Sequence, residues 1–253
     1  MYRCIYIALA VLKVDSYFLF ILTVYQKNLF RKIPTECFAI PAMKPLPFPT
    51  CKADDLECLR RGLRTFFFLM NSGYLGMKQI DPMLLNSISI SLPEERMGFL
   101  LRRVNVSGAQ WTKLRKRKPF ERNSVRFFSD LHVTGDLSMN KAERDEPYVA
   151  RLTMDIGDVE SNITYAWTAE RGINEQAYIL IGRDRIVVRN SRTPTFFLEP
   201  DSIAISEAIS NKPAILEHIS NEITMCIMQT IVENFRYFAK LVPVKDFYQL
   251  NLM

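Results

Sequence analysis

One continuous apolar stretch near the C-terminus restricts the possible folds of this chain more than any other feature. Isoleucine recurs at every fourth position from residue 215 to residue 231, a spacing that places the side chains on one face of an α-helix. Further apolar residues widen that face: Leu216, Met225, Met228 and Val232. Pro213 suits a first helical turn and Pro243 would end the helix. The pattern therefore predicts a helix over 214–239, about 39 Å long at the α-helical rise, that must be covered on more than one side.

The middle of the chain has a hydrophobic period of two, which indicates β-strands. Ile88, Ile90 and Leu92 alternate with serines, and further strands are predicted over 99–106, 125–137, 151–156, 177–181 and 186–188. Each strand has one apolar and one polar face, which favours antiparallel pairing. We therefore predict an α+β fold in which a strongly curved antiparallel β-sheet wraps around the long C-terminal helix.

A shorter helix is predicted before the strands. An aspartate at position 54 or 55 can cap it, and Gly73 can end it. Phe66, Phe67 and Phe68 are consecutive within it, so they cannot share one helix face. We expect one or two of them in the core, and the third to line a pocket or to contact a partner.

The chain lacks the motifs that mark most catalytic and metal sites. Its 253 residues include only two histidines, His132 and His218, in unrelated contexts, and five cysteines without paired CxxC spacing. No HExxH, GxSxG, GxGxxG or Walker motif is present. We therefore expect no metal, no cofactor and no enzymatic activity. The net charge of +6 lies partly in the first 38 residues, and the remaining excess is too mild to indicate a nucleic-acid partner.

The N-terminus resembles an export signal. Apolar runs at 4–12 and 17–25 are separated by a short charged segment, and each run has the length of a signal-peptide core. We predict a signal peptide within residues 1–39, with an uncertain cleavage point. An uncleaved signal anchor is the alternative. Residues 40–50 are proline-rich and are predicted to form an extended lead-in, followed by a single domain over 51–250.

Two glycosylation sequons agree with secretion. Asn105 lies between two valines, and Asn162 alternates with the apolar residues of its predicted strand. Both asparagines should therefore point away from the apolar face of the sheet. We expect a secreted, extracellular glycoprotein.

Several stretches in a fixed order carry a resemblance to a known family. They are Leu46-Pro47-Phe48-Pro49-Thr50-Cys51 with Cys58 seven residues on, Ile80-Asp81-Pro82-Met83, Val104-Asn105-Val106-Ser107-Gly108, Leu131-His132-Val133-Thr134-Gly135, and the segment 211–247. Together these stretches resemble the takeout and haemolymph juvenile-hormone-binding proteins, the insect members of the TULIP lipid-binding superfamily. The resemblance covers roughly residues 46–250.

The resemblance implies a curved sheet rolled around the long helix, with an elongated apolar tunnel between them. It also implies a carrier of a small hydrophobic ligand, such as juvenile hormone, a fatty acid or another lipid or isoprenoid. We expect a monomer. The predicted tunnel-lining residues are Phe66, Phe67, Phe127, Met154, Tyr165, Trp167, Ile179, Ile219, Ile223 and Ile227. Tyr165 and Trp167 share an apolar face and could present polar groups to a ligand, although core packing is the more frequent explanation for such residues.

Cysteine usage places the chain near the one-disulfide, takeout-like branch of that family. Given the export signals, Cys51 and Cys58 are predicted to form a disulfide, the alternative being two reduced thiols. Such a bond would link the lead-in to the short N-terminal helix. Cys226 resembles one half of the second disulfide of the hormone carriers, but no partner for it is evident.

The basic run 113–118, with Arg122 and Arg126 nearby, is the one pronounced charge cluster. It is predicted to be a solvated loop, with transient docking to a membrane or a receptor as the alternative. A rival function follows from that alternative. The protein would be a membrane-tethered interaction protein that keeps its N-terminal anchor and binds acidic headgroups through this run.

Overall fold

The computed structural model describes residues 50–52, 55–115, 123–172, 175–246 and 248–249. The predicted signal or anchor region at 1–39 lies outside the described residues. The predicted lead-in at 40–50 does so as well, except for Thr50. The predictions for these segments therefore remain predictions.

Long antiparallel strands form most of the described chain. The strands of the main sheet are β2 (Met83–Leu92), β3 (Met97–Ser107), β4 (Lys113–Leu114), β5 (Ser124–Lys141), β6 (Tyr148–Arg171), β7 (Ala177–Arg189) and β8 (Thr195–Glu199). Their order across the sheet is β2-β3-β5-β6-β7, while β4 pairs with β5 and β8 pairs with β6. Every pairing in it is antiparallel, as the alternation of apolar and polar residues predicted.

Irregularities in the pairing accompany the curvature of the sheet. The register shifts at three places: between Arg102 and Asn105, where β3 has the extra residue; opposite Ser129–Leu131, where β6 has it; and opposite Tyr165–Trp167, where β7 has it. Each extra residue bends its strand and increases the local twist. Together with the length of β5 and β6, these bulges curl the sheet into a half-barrel.

The long C-terminal helix lies against both edges of this half-barrel. It runs over Ala214–Leu241 and is numbered α3 here. It contacts β7 at one edge of the sheet and β2 at the other, which requires a sheet that curves around it. The isoleucines at positions 215–231 are all buried. The predicted architecture, a curved sheet wrapped around a long terminal helix, is therefore confirmed.

Two shorter α-helices precede α3 in the described chain. The first, α1 (Leu56–Asn71), begins where the Asp55 carboxylate accepts a hydrogen bond from the Cys58 backbone N–H at 2.9 Å. The second, α2 (Ile203–Asn211), ends immediately before α3. The sequence pattern did not predict α2.

The Cys51–Cys58 disulfide is present, as predicted. Cys51 belongs to β1 (Cys51–Lys52), which pairs in parallel with β9 (Tyr248–Gln249). Thr50 also donates a hydrogen bond to the Asp246 carbonyl, at 3.3 Å. The disulfide therefore connects α1 to the C-terminal end of the described chain.

Candidate functional site

The space between α3 and the concave face of the sheet contains most of the predicted lining residues. Those that join the buried core are Phe66, Phe67, Phe127, Met154, Ile219, Ile223 and Ile227. Tyr165 is half-buried and packs against this core. Ile179 is half-buried on β7. With one clear exception the selected residues are therefore buried or half-buried in the interior, and that they line a ligand tunnel stays a prediction.

Trp167 is that exception, since its side chain is 44% exposed. The extra residue at the register shift near Trp167 belongs to β7, so Tyr165 and Trp167 stay on the same side of β6. Trp167 is exposed because β6 runs beyond the core at this end, where residues 166–171 are all exposed, contrary to the expectation from sequence that Trp167 lies in the interior. The indole N–H of Trp167 instead donates to the Asn123 side-chain oxygen at 3.1 Å.

The three consecutive phenylalanines of α1 contact three different parts of the fold. Phe66 stacks on Phe235 of α3, with ring centroids 4.6 Å apart. Phe67 makes an edge contact with Phe127 of β5 at 6.0 Å. Phe68 is 41% exposed. As predicted, two of the three are in the core, and they hold α1 against both the helix and the sheet.

Two buried hydroxyl groups interrupt this apolar interior. Thr224 Oγ1 on α3 and Ser161 Oγ on β6 are fully buried and have no hydrogen-bond partner among the described residues. A buried hydroxyl without a partner costs roughly 1–3 kcal/mol. Elsewhere in the fold buried hydroxyls are paired, as Thr112 and Ser129 are at 2.8 Å. The two unpartnered groups are therefore available to bind a polar atom.

These two hydroxyls lie at the same level of the fold. Ser161 pairs in register with Val188 on β7. Two residues further on, Asn190 accepts a hydrogen bond from Ser220 at 2.6 Å, and Thr224 follows Ser220 by one helical turn. Sequence analysis missed the two hydroxyls, because nothing in the sequence distinguishes an unpaired serine or threonine from a paired one.

Methionines contribute a second property to the core. The fully or nearly buried ones are Met70, Met77, Met139, Met154 and Met228. The methionine side chain is unbranched and polarizable, and it adapts to gaps of different shape. Such a core can rearrange around an apolar molecule at lower cost than one made only of branched residues.

Helix α3 is attached firmly to one edge of the sheet. Arg236 donates to the carbonyls of Ile181, at 3.3 Å, and of Gly182, and it also pairs with the Asp184 carboxylate. These contacts satisfy backbone groups at the free edge of β7, which would otherwise be open to pairing.

The seam between α3 and β2, the other edge strand, contains a cleft of about 380 Å³. Polar contacts close the seam beyond both ends of the cleft: Asn234 bonds the Lys78 backbone at 2.8 Å, and Lys212 pairs with Glu95. The lining residues of the cleft are Leu85, Asn86, Ser87, Ile88, Ser89, His218, Glu222 and Cys226. Between described residues, no side-chain hydrogen bond joins α3 to β2 along this cleft. Its volume lies within the range of small-molecule sites. Sequence analysis missed this cleft, although the spacing of His218, Glu222 and Cys226 places them on one side of the helix.

Cys226 is a half-buried free thiol in this cleft. Burial raises the pKa of its thiol, and the negative charge of Glu222 raises it further. The thiol is therefore protonated at neutral pH and lacks the activation of a catalytic cysteine. The described residues also contain no cluster of side chains that could hold a metal ion.

The two sequons differ in accessibility. Asn105 is exposed on β3 between two fully buried valines, as the alternation predicted. Asn162 also lies on the face opposite buried neighbours, but it is only half-exposed and its side-chain oxygen is buried. It is flanked by strands on both sides, opposite Arg126 and Val187. Asn105 is therefore the more accessible position, and glycosylation of either residue stays a prediction.

Only the first part of the basic run 113–118 lies within the described residues. Lys113 and Leu114 form β4, and Arg115 pairs with Glu160 at 3.2 Å while lying over the Phe128 ring. The start of this run is thus packed on the sheet and is not a loop. Residues 116–118 and Arg122 lie outside the described residues. Across the described segments, no helix has the length and apolar character needed to cross a membrane.

A curved antiparallel sheet enclosing one long apolar helix, with a short disulfide-linked helix against both, defines a roll-shaped class of α+β proteins. Epiphyas postvittana Takeout 1 has this fold, with a TM-score of 0.63 and 13% sequence identity over 79% of this chain and 99% of that chain. The chain thus has a takeout-like fold, which confirms at the level of the fold the resemblance found in the sequence.

Other comparisons add little to this result. A lipopolysaccharide-binding protein is similar at a TM-score of 0.42 and 10% identity, over 71% of this chain and 36% of that chain. That likeness is too weak to support an argument. No family model and no curated protein matches the sequence.

Proposed function

We propose that this protein binds and carries a small hydrophobic ligand between α3 and the concave face of the sheet, without catalysing a reaction on it. The observation that supports this most directly is that a takeout-like half-barrel covers the largely apolar face of α3, which is buried along the length of the helix. Fatty acids, isoprenoids such as juvenile hormone, and other lipids have suitable chemistry.

Desolvation would drive binding. Removing about 400 Å² of ligand surface from water would contribute roughly 10 kcal/mol before the costs of association. The buried methionines would allow the core to open around the ligand. The Ser161 and Thr224 hydroxyls would bond its polar group and set its orientation.

The seam between β2 and α3 is the proposed entry path. Arg236 and Asn190 attach α3 to the β7 edge, whereas no side-chain hydrogen bond between described residues crosses the cleft itself. A ligand that enters through the cleft would pass between the contacts of Asn234 and Lys212 without breaking either.

The first test is native mass spectrometry of protein secreted from insect cells, followed by organic extraction. We expect a mass excess over the bare chain that extraction removes and that identifies the ligand class. An empty protein that also fails to take up a fluorescent fatty acid would contradict the carrier function.

A pair of matched variants localises the site. Ile223 is fully buried on α3, while Ile203 on α2 is 71% exposed. Ile223→Phe should occupy interior space and reduce uptake of the fluorescent fatty acid, and Ile203→Phe should not. Circular dichroism checks that both variants remain folded. Equal uptake by the two folded variants would place the ligand elsewhere.

Secretion is part of the proposal. The Cys51–Cys58 disulfide supports it, because disulfides persist mainly in oxidising compartments. Sequencing of the mature N-terminus and carbonate extraction of cells test it. A cleaved protein in the medium is expected, whereas retention in the carbonate-resistant membrane fraction would favour the membrane-tethered alternative.

A further inference from the structure

An exposed aromatic pair stands among basic side chains on the surface formed by α1 and the segment after β3. Phe68 is 41% and Trp111 50% exposed, and their rings meet edge to face with centroids 5.4 Å apart. The Arg64 guanidinium lies over the Trp111 ring, 5.3 Å from its centroid. With Arg61 and Lys113, these residues are called the aromatic–basic patch.

The fold holds Trp111 in a defined position. Trp111 ends a short 3-10 helix, Ala109–Trp111. The Asp81 carboxylate accepts hydrogen bonds from the backbone N–H groups of Gly108, at 2.9 Å, and Gln110, at 3.1 Å. Gly108 has a φ of +100°, and a Cβ there would lie 2.4 Å from the Asp130 carbonyl oxygen. An exposed indole on a constrained backbone loses little conformational freedom when it inserts into another phase.

The charge around the aromatic pair is predominantly positive. Arg61, Arg64 and Phe68 are exposed at helical spacing on one face of α1, and Lys113 is exposed on the adjoining β4. Arg60 is also exposed there and donates to the Leu114 carbonyl at 3.4 Å. Glu57, one turn earlier on α1, is the acidic side chain on this helix face. Arg115 forms an ion pair with Glu160, so it adds no net positive charge to the aromatic–basic patch.

We propose that the aromatic–basic patch docks the protein on the surface of a bilayer that contains anionic phospholipid. Tryptophan and phenylalanine have an apolar body that suits the boundary between headgroups and acyl chains. Arginine and lysine can keep their charges among the lipid phosphates while their alkyl stems cover apolar surface. This docking needs no N-terminal anchor, and it can be tested without knowing what the interior binds.

The test uses the small number of tryptophans. The chain has two, so Trp167→Phe leaves Trp111 as the sole fluorescent tryptophan. With phosphatidylcholine vesicles that contain phosphatidylserine, we expect co-sedimentation, a shift of Trp111 emission to shorter wavelength, and quenching by brominated acyl chains. Raising the salt concentration should weaken binding, and vesicles of phosphatidylcholine alone should bind poorly.

Matched variants separate the patch from general surface charge. Arg61→Gln should weaken binding about fivefold, the effect of one basic residue near an anionic surface. Trp111→Ala should weaken it by about tenfold or more. Arg151→Gln is the control, because Arg151 is an exposed basic residue far from the patch. In the strand register Arg151 lies opposite Asp136 of β5, whereas Lys113 lies opposite Phe128, eight residues away along the same strand. Arg151 therefore lies about 26 Å from β4 along the strand.

Three results would overturn the proposal. One is absence of binding to the phosphatidylserine vesicles at low salt. Another is equal binding by the Trp111→Ala, Arg61→Gln and Arg151→Gln variants, each checked by circular dichroism. The third is a concentration-dependent dimer that Trp111→Ala abolishes while vesicle binding is absent, which would assign the patch to a second copy of this chain.

Discussion

The same substitution at two buried threonines should change stability in opposite directions. Thr224 on α3 is fully buried, and its hydroxyl has no partner among the described residues. Thr112 is also buried, but its hydroxyl is 2.8 Å from the Ser129 hydroxyl. Valine has nearly the shape of threonine with a methyl group in place of the hydroxyl. Thr224→Val should therefore stabilise the ligand-free protein, and Thr112→Val should destabilise it.

The two magnitudes follow from the surroundings of each hydroxyl. Thr224→Val removes an unpaired buried hydroxyl, so a gain of about 1 kcal/mol is expected. Threonine and valine have similar helix propensities, so the backbone contributes little to the difference. Thr112→Val breaks a hydrogen bond and leaves Ser129 buried and unpaired, which costs about 1–3 kcal/mol. The two variants should therefore differ by at least about 2 kcal/mol.

Urea unfolding of protein freed of bound lipid measures both changes. An unchanged dependence of the unfolding free energy on urea concentration would show that each variant unfolds from the same compact state. In a thermal scan, the Thr224→Val gain should raise Tm by about 2–4 °C. If Thr224→Val destabilises the protein as Thr112→Val does, its hydroxyl has a partner and the reasoning is refuted.

Ligand binding gives the Thr224 variant a second readout. A fatty acid should bind Thr224→Val more weakly than it binds the original protein, because a hydrogen bond to its polar group is lost. A hydrocarbon of similar length should bind the two equally. Equal weakening of both ligands would indicate a change in packing and not the loss of a polar anchor.

Three further changes test other contacts of the fold. Arg236→Met should destabilise the protein by about 2–3 kcal/mol, since it leaves carbonyls at the β7 edge unpaired; urea unfolding measures this, and a change below about 0.5 kcal/mol would contradict it. Replacing Cys51 and Cys58 together by alanine should cost about 2.5 kcal/mol through the added freedom of the unfolded chain, seen as a lower Tm that added reductant no longer changes. Glu222→Gln removes one of the two causes that raise the pKa of Cys226, so at mildly alkaline pH more thiolate should form and iodoacetamide should react faster; an unchanged rate-against-pH profile would argue against that contact.

Local patterns determined the elements of this fold well. The isoleucine spacing predicted a helix over 214–239, and α3 spans Ala214–Leu241. A long regular helix and alternating strands depend on neighbours in sequence, so periodicity is enough to find them. The predicted disulfide is also present. The short helix α2 was missed, because it is only nine residues long and merges in the sequence with the apolar pattern of α3.

Properties that depend on distant residues required the tertiary structure. Trp167 lies on the same side of β6 as Tyr165 but is exposed, because β6 extends beyond the core there, and alternation cannot indicate where a strand leaves the core. Whether Thr224 has a hydrogen-bond partner depends on strands far away in sequence. The seam between β2 and α3 likewise exists because residues about 130 positions apart meet, with a spacing set by the curvature of the whole sheet. The amino-acid sequence by itself thus determined α1, α3, the long strands and the apolar face of each, since these follow from short-range periodicity. Only the tertiary structure decided which polar groups stay unpaired and where the roll is open, because both depend on how the two edges of the sheet approach one helix.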